Sequence, residues 1–307
     1  MLQLTMKRLH WDCALEGGER QRDDEENAMS RTWLITGGSQ GLGRALVLQA
    51  LEDGDRVVVT SRRPEALADL KAKYPERLEA VALDVTSRSE ARGVVAAAVE
   101  RFGTVDVVVN NAGYATSGSI EDFPEDEFRA QVEANLFGVI NVTRAALPVL
   151  RGQRSGHIVQ ISSIGGRVGG TPGLSAYQTA KFGVEGFSEV LANEVAPFGI
   201  KVIIVEPGGI RTGWAAGAAK PSGPIAPDYQ QTVGAWLEQF AAYSGNEPGD
   251  PARMARAVIA AVDAPEPPRR LLLGSDALEI AVSAEKARLA EADTWAEASR
   301  STDHQTA

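Results

Sequence analysis

The sequence predicts an α/β chain built on a doubly wound parallel sheet. Three observations carry this. Short β-branched runs alternate with amphipathic stretches along almost the whole chain. Two of the runs, Val107-Val108-Val109 and Val202-Ile203-Ile204-Val205, are apolar on both alternating faces, as central strands covered by helices must be. A glycine-rich segment, TGGSQGLGRA at 36–45, joins the first strand to the first helix.

In chain order, strands are expected at 33–36, 56–60, 78–83, 105–110, 157–161, 201–205 and 270–273. Helical patterns begin near Leu42, Pro64, Ser87, Glu125, Ser175 and Asp250. No repeat and no hinge linker interrupts them, so 29–275 reads as one domain. Within it, 209–250 is too long for a simple turn. It is rich in Gly, Ala and Pro yet carries Trp214, Tyr229, Trp236, Phe240 and Tyr243, which suggests a lid or substrate loop. Residues 276–307 read as a terminal helix and tail, with Leu278, Ala281, Val282, Leu289 and Trp295 as the apolar side. Residues 1–28 lack a secretory pattern and offer few large apolar side chains. They read as a poorly ordered extension, with Met29 as a candidate start; an arm that mediates association is the alternative.

Composition excludes several function classes. A net charge of −10 argues against a polyanion-binding surface, and so against nucleic acid. No uncharged apolar run approaches the roughly 18–20 residues of a membrane span. The single cysteine, Cys13, forbids an intrachain disulfide and fits cytoplasmic residence. Three histidines far apart (His10, His157 and His304) and one cysteine make no metal-ligand cluster.

The glycine loop places Gly37, Gly41 and Gly43 around Ser39, Gln40 and Leu42. Glycine permits the tight turn and the close approach of backbone N–H groups to a pyrophosphate, and the helix N-terminus beyond favours negative charge. The second strand then ends in Ser61, Arg62 and Arg63, where an acid would hold the adenosine ribose. Arginine forks there bind a 2′-phosphate that a carboxylate would repel, so NADP(H) is expected over NAD(H). Asp84 and Val85 close the third strand and suit an adenine ring; an Asp there also suits a helix cap. After the fourth strand, Asn111, Ala112 and Gly113 are small enough for backbone to lie against a cofactor.

Tyr177 and Lys181 in YQTAK lie four apart on a helix whose apolar stripe is Val184, Phe187, Val190, Leu191 and Val195. A cation one turn from a phenol lowers its pKa from near 10 by about 1–3 pH units, which would prepare Tyr177 for acid–base work. Ser162-Ser163 closes the fifth strand, where a hydroxyl could meet a substrate carbonyl. Asn135 interrupts a helical pattern that it disfavours. Pro207-Gly208 closes the sixth strand and Thr212 follows, available to a carboxamide or phosphate.

Together, TGGSQGLG, Asp84, NNAG, Asn135, Ser163, YQTAK and PGGIRT resemble the short-chain dehydrogenase/reductase family, in the family's order, over about 30–275. The resemblance implies a Rossmann-type fold with seven parallel strands and a homodimer or homotetramer joined through the helices of Asn135 and Tyr177. It implies that Tyr177 exchanges the proton, Ser163 polarises the carbonyl, and Lys181 holds the nicotinamide ribose and lowers the Tyr177 pKa. Asn135 would anchor a water serving Lys181. Arg62 matches the NADP(H)-preferring subset.

Two features depart from the pattern. Ser163 precedes Tyr177 by 14 residues where many relatives have 13, and Gly169-Gly170 is the expected place of the extra residue. Ser39-Gln40 stands where some NADP(H) relatives carry a base in the glycine loop. The expected function is a reversible NADP(H)-dependent carbonyl reductase acting on a small molecule, apolar or ring-bearing if the aromatic loop lines the pocket. The alternatives are a non-catalytic NADP(H) sensor, or an epimerase or dehydratase on the same fold.

Overall fold

The computed structural model describes residues 30–304. Seven parallel strands form one sheet: β1 (Thr32–Thr36), β2 (Arg56–Ser61), β3 (Leu78–Ala82), β4 (Val107–Asn110), β5 (Gly156–Ile161), β6 (Ile200–Pro207) and β7 (Arg270–Leu273). Their order is β3-β2-β1-β4-β5-β6-β7. The chain winds outward from β1 to β3, then returns to place β4 on the other side of β1. The carboxyl ends of β1 and β4 therefore flank the point where the winding reverses, the place where such sheets bind ligands.

Side-chain alternation divides the core in two. Trp33, Ile35, Val57, Val59, Val107 and Val109 face α1 (Gly41–Glu52) and α10 (Pro251–Asp263). Leu34, Val58, Val108 and Ile158 face α3 (Arg88–Phe102), α5 (Gly138–Gln153) and α7 (Ser175–Val195). Helix α2 (Ala68–Lys73) lies between β2 and β3, and α4 (Glu125–Val132) precedes α5. Ser87 caps α3, and Asp250 with Pro251 opens α10.

The fourth strand begins at Val107, two residues later than the pattern suggests. Val105 is buried, but the Gln153 side chain takes over its backbone bonding: Gln153 accepts from the Val105 N–H at 3.3 Å and donates to its carbonyl at 2.9 Å.

Residues 209–250 carry their own structure: α8 (Trp214–Ala218), a wide π turn (Gln230–Gly234) and α9 (Ala235–Tyr243). The segment is pinned to the loop after β4. Ser117 N–H donates to Lys220 O and accepts through its carbonyl from Ser222 N–H, while the Tyr229 hydroxyl donates to Glu121 at 2.8 Å. After β7 come α11 (Ser275–Thr294) and α12 (Ala296–Ser301). Most of the expected apolar side of α11 is turned outward: Leu278, Val282 and Leu289 are exposed, as is Trp295 just past its end, while Ala281 of that side is buried and docks the helix together with Ala277. Small residues give a close but narrow seam. Among the described residues no helix is long and apolar enough to cross a membrane, and no group of acids, His or Cys could hold a metal ion. The expectation for residues 1–28 lies outside the described residues.

Candidate active site

The carboxyl ends of β1, β4, β5 and β6 bring most of the expected residues to one rim. At β1, Gly37 and Gly41 take φ +68° and +58°, a left-handed backbone that costs a side-chain-bearing residue about 1–2 kcal/mol. A Cβ on Gly37 would lie 2.8 Å from Ala112 Cα, and one on Gly43 would lie 2.4 Å from Asn111 Nδ2. The glycine loop and the NNAG loop are therefore in direct contact. Asn111 fixes them together by donating to the carbonyls of Thr36 and Gly37 at 2.9 and 3.0 Å. Ser39, Gln40 and Leu42 complete the turn into α1. Gln40 is its N-cap and makes no side-chain cap, and the first turn holds no acid.

Thr212 closes over this loop, its methyl 3.4 Å from where a Gly41 Cβ would stand. Pro207 ends β6, and Gly208 N–H donates to Leu273 O. At the end of β2, Ser61 accepts from the Arg63 N–H, and Arg62 and Arg63 are exposed. The Tyr114 phenol is raised by burial and by Glu127, and the Arg62 charge opposes both. One oxygen of Asp84 accepts from Thr86 N–H and hydroxyl, closing a local turn; the helix cap there is Ser87 instead. Val85 packs against Gly138 at the start of α5, where a Cβ would approach it to 2.6 Å.

Tyr177 and Lys181 lie on α7, both almost fully buried. The Lys181 ammonium sits 5.7 Å from the Tyr177 ring centroid and donates to Ile161 O at 2.6 Å. The Ser163 hydroxyl faces the phenol and favours its ionised form. Ser162 turns the other way, into the interior beside Gly166, where a Cβ would meet its hydroxyl at 2.6 Å. In the 169–173 loop before Tyr177, Gly170 takes φ +101° into open space. Gln178 ties the loop down by accepting from the N–H groups of Gly170 and Thr171.

Electrostatics differ from the sequence expectation in one respect. Burial pushes Tyr177 up to about 12, against the smaller opposing effect of Ser163. Burial also brings Lys181 down to about 8, with Glu185 acting in the opposite direction. A cation expected to lower the phenol is itself costly to keep charged in this interior.

Asn135 sits in a π turn (Glu133–Phe137) between α4 and α5, a wide turn that recurs at functional sites. Its amide donates to Tyr114 O at 2.7 Å and accepts from Tyr114 N–H at 2.9 Å. A Cβ on Gly113 would lie 2.8 Å from Asn135 Oδ1 and 3.9 Å from Lys181 Nζ, so Gly113, Asn135 and Lys181 meet.

Sequence reasoning did not single out Tyr114, Gln178 or the contact of Trp214 with Tyr177. It also passed over Glu185 and Glu206. Glu206 did carry a signal, since a carboxylate inside a doubly buried strand needs partners.

A sequence profile described as short chain dehydrogenase matches residues 31–222. The chain belongs to the short-chain dehydrogenase family, and it is an oxidoreductase. It is 50% identical over 272 residues to the oxidoreductase BOA17 of Botryotinia fuckeliana, covering 88% of this chain and 98% of that one. It is 41% identical over 181 residues to the 3-ketodihydrosphingosine reductase of Bacteroides thetaiotaomicron, covering 59% of this chain and 64% of that one. Among solved structures, a short-chain dehydrogenase from Streptomyces avermitilis superposes with a TM-score of 0.81 at 42% identity, over 90% of this chain and 100% of that one. Levodione reductase superposes with a TM-score of 0.68 at 28% identity, over 81% of this chain and 98% of that one.

Proposed function

We propose that this oxidoreductase reduces a ketone or aldehyde to an alcohol with NADPH, reversibly. The observation that carries the reading is the Ser163 hydroxyl beside the Tyr177 phenol, with the Lys181 ammonium 5.7 Å from the Tyr177 ring centre, at the carboxyl end of β5. Ser163 donates to the carbonyl oxygen and polarises it. Tyr177 gives that oxygen its proton. The phenol stands in the first turn of α7, where the positive end of the helix dipole favours the phenolate left behind. Lys181 adds a second positive charge beneath it. Asn135 holds the loop at Tyr114 and so fixes the wall beside Lys181.

The chain fits a dinucleotide. The uncapped, acid-free N-terminus of α1 offers N–H groups to a pyrophosphate, and the tight glycines keep side chains off that surface. Gly37 through Gly43 would take the pyrophosphate, with Asp84 and Val85 at the adenine. Asn111, Ala112 and Gly113 would line its path, and Lys181, Pro207, Gly208 and Thr212 would hold the nicotinamide end. When bound, NADPH supplies the hydride for the carbonyl carbon. Arg62 and Arg63, exposed at the end of β2 with Ser61, favour the 2′-phosphate of NADP(H).

The substrate class is an apolar or ring-bearing carbonyl compound. Trp214, Trp236 and Phe240 form one cluster with Tyr177, and one relative is named for a keto substrate. Residues 209–250 act as the substrate loop. Phe137, Phe182 and Val190 are exposed on the helices of Asn135 and Tyr177, which supports pairing of subunits there. The single cysteine accords with cytoplasmic residence.

The test is NADPH and NADH titration followed by a ketone panel, with Tyr177→Phe alongside. The variant is expected to bind NADPH like the parent and to lose turnover. Equal turnover by the variant defeats the assignment.

A further inference from the structure

A charge network that the proposed reaction does not use lies behind Lys181. Tyr177, Lys181, Glu185 and Glu189 follow at four-residue spacing and share one face of α7. Glu185 is 6% exposed, and its carboxylate is paired with Arg270 at the start of β7. Arg270 also meets Glu189 at 2.8 Å and Glu206 at 2.5 Å. Glu206, fully buried near the end of β6, takes a second cation, Arg167, at 3.1 Å. Arg167 ends the short helix α6 (Ile164–Arg167) that follows Ser163, and it reaches Glu285 on α11 at 3.2 Å. The charged groups around Glu185 are thus Lys181 and Glu189 on its own helix, Arg270 from β7, Glu206 from β6, Arg167 from α6, and Glu285 and Arg288 from α11, which line the same cavity.

Glu185 is costly as a purely structural residue. A buried ion pair contributes little net stability, and Arg270 already has Glu206 and Glu189. The Glu185 Oε1 atom is buried without a hydrogen-bond partner among the described residues. The Ser162 hydroxyl points toward the same carboxylate yet stands outside hydrogen-bonding geometry. What Glu185 has in its favour is position, one helical turn from the relay ammonium.

We propose that Glu185 is a positioning residue for Lys181: anchored by Arg270, its carboxylate keeps the Lys181 ammonium charged beneath Tyr177. This rests on the relay reading above. Burial works against the ammonium, and Glu185 is the charged neighbour that opposes this effect; burial raises the Glu185 carboxyl as well, and the Arg270 charge works to keep it ionised. Loss of the Lys181 proton would end turnover at alkaline pH, so the basic limb of the pH–rate profile reports this coupling.

The experiment compares wild type, Glu185→Gln and Glu189→Gln by two readouts. One is kcat against pH for NADPH-dependent ketone reduction. The other is the Lys181 titration in the ligand-free protein, followed by NMR after 15N-lysine labelling. Glu185→Gln is expected to move the basic limb and the Lys181 titration down together by about one pH unit. Glu189→Gln, a turn further off and more exposed, leaves both in place. A lower melting temperature in Glu185→Gln with both titrations unmoved overturns the proposal and leaves a structural role alone. Should that variant not fold, Glu185→Met removes the same charge with an apolar filling and must show the same displacement. If Tyr177→Phe turns over like wild type, the relay reading fails, while the Lys181 titration still decides the coupling.

Discussion

The Trp214 ring lies 5.0 Å from the Tyr177 ring at an interplanar angle of 55°. Phe240 meets Trp214 edge-on at 6.4 Å and stacks on Trp236 at 4.6 Å. The aromatic side chains of 209–250 therefore form a chain of rings ending on the proposed proton donor, and the indole helps to keep that phenol buried. A ring-bearing substrate would exchange one aromatic contact for another at Tyr177. A small ketone would have no such replacement to offer.

Trp214→Ala should separate these two kinds of substrate. Aromatic pairs contribute about 0.5–1.5 kcal/mol beyond the area they bury, which corresponds to about two- to tenfold in kcat/KM. The loss should fall on ring-bearing ketones, with small aliphatic ketones changed less. Steady-state kinetics on a matched pair of ketones measures this. An equal loss for both would mean that Trp214 only packs the loop against Tyr177.

Arg62→Ala should weaken NADPH binding and leave NADH binding nearly as it was. A hydrogen bond to a charged group is worth about 1.5–3 kcal/mol, so the expected loss is about 10- to 100-fold in Kd. Raising the salt concentration should shrink the difference between the cofactors, because Arg62 is exposed. Parallel losses for both cofactors would show that Arg62 does not face the 2′-phosphate.

Much of this was legible in the sequence, for identifiable reasons. The strands with apolar residues on both faces announced a covered sheet, and Val107 to Val109 are all fully buried. The glycines at 37, 41 and 43 announced a tight turn, because their requirements are local. Contacts between distant segments were not legible. Nothing in the spacing says that Asn135 bonds Tyr114, or that Trp214 meets Tyr177. The large residues in the apolar stripe of α11 misled for a related reason, although its Ala281 is buried. Periodicity shows that a helix has a face but not what covers it, and this one docks through Ala277 and Ala281. The direction of the Tyr177 pKa depended on burial, which a pair of letters four apart does not reveal.

Burial makes Lys181 and Tyr177 contribute oppositely to stability at alkaline pH. Lys181 falls from 10.5 to about 8. Between those values the unfolded chain still holds a proton that the folded protein has released, so stability rises with pH across the window. Tyr177 rises from 10.0 to about 12. Above pH 10 the folded protein holds a proton that the unfolded chain loses, and stability falls. In urea unfolding, Lys181→Met should lack the gain between pH 8 and 10.5 relative to wild type. A variant curve parallel to that of wild type over this range would show that Lys181 titrates alike in both states.

His157 gives the acid side of the profile. It is the second residue of β5, where its N–H donates to Asp106 O and its ring is largely enclosed. Burial lowers it from 6.5 to about 4, the Arg31 charge adds to this, and Asp263 opposes it. The imidazole is therefore neutral in the folded protein at pH values where the unfolded chain is already protonated. Stability from this group is fully present above pH 6.5 and is lost as pH falls toward 4, by up to about 3 kcal/mol. His157→Gln keeps a polar side chain of similar size that cannot titrate. Its urea midpoint should fall less steeply than that of wild type between pH 6.5 and 4, while the two proteins follow the same slope from pH 7 to 8. Identical slopes on the acid side would place the His157 proton equally in the folded and unfolded states, and acid unfolding would then have to begin at the carboxylates.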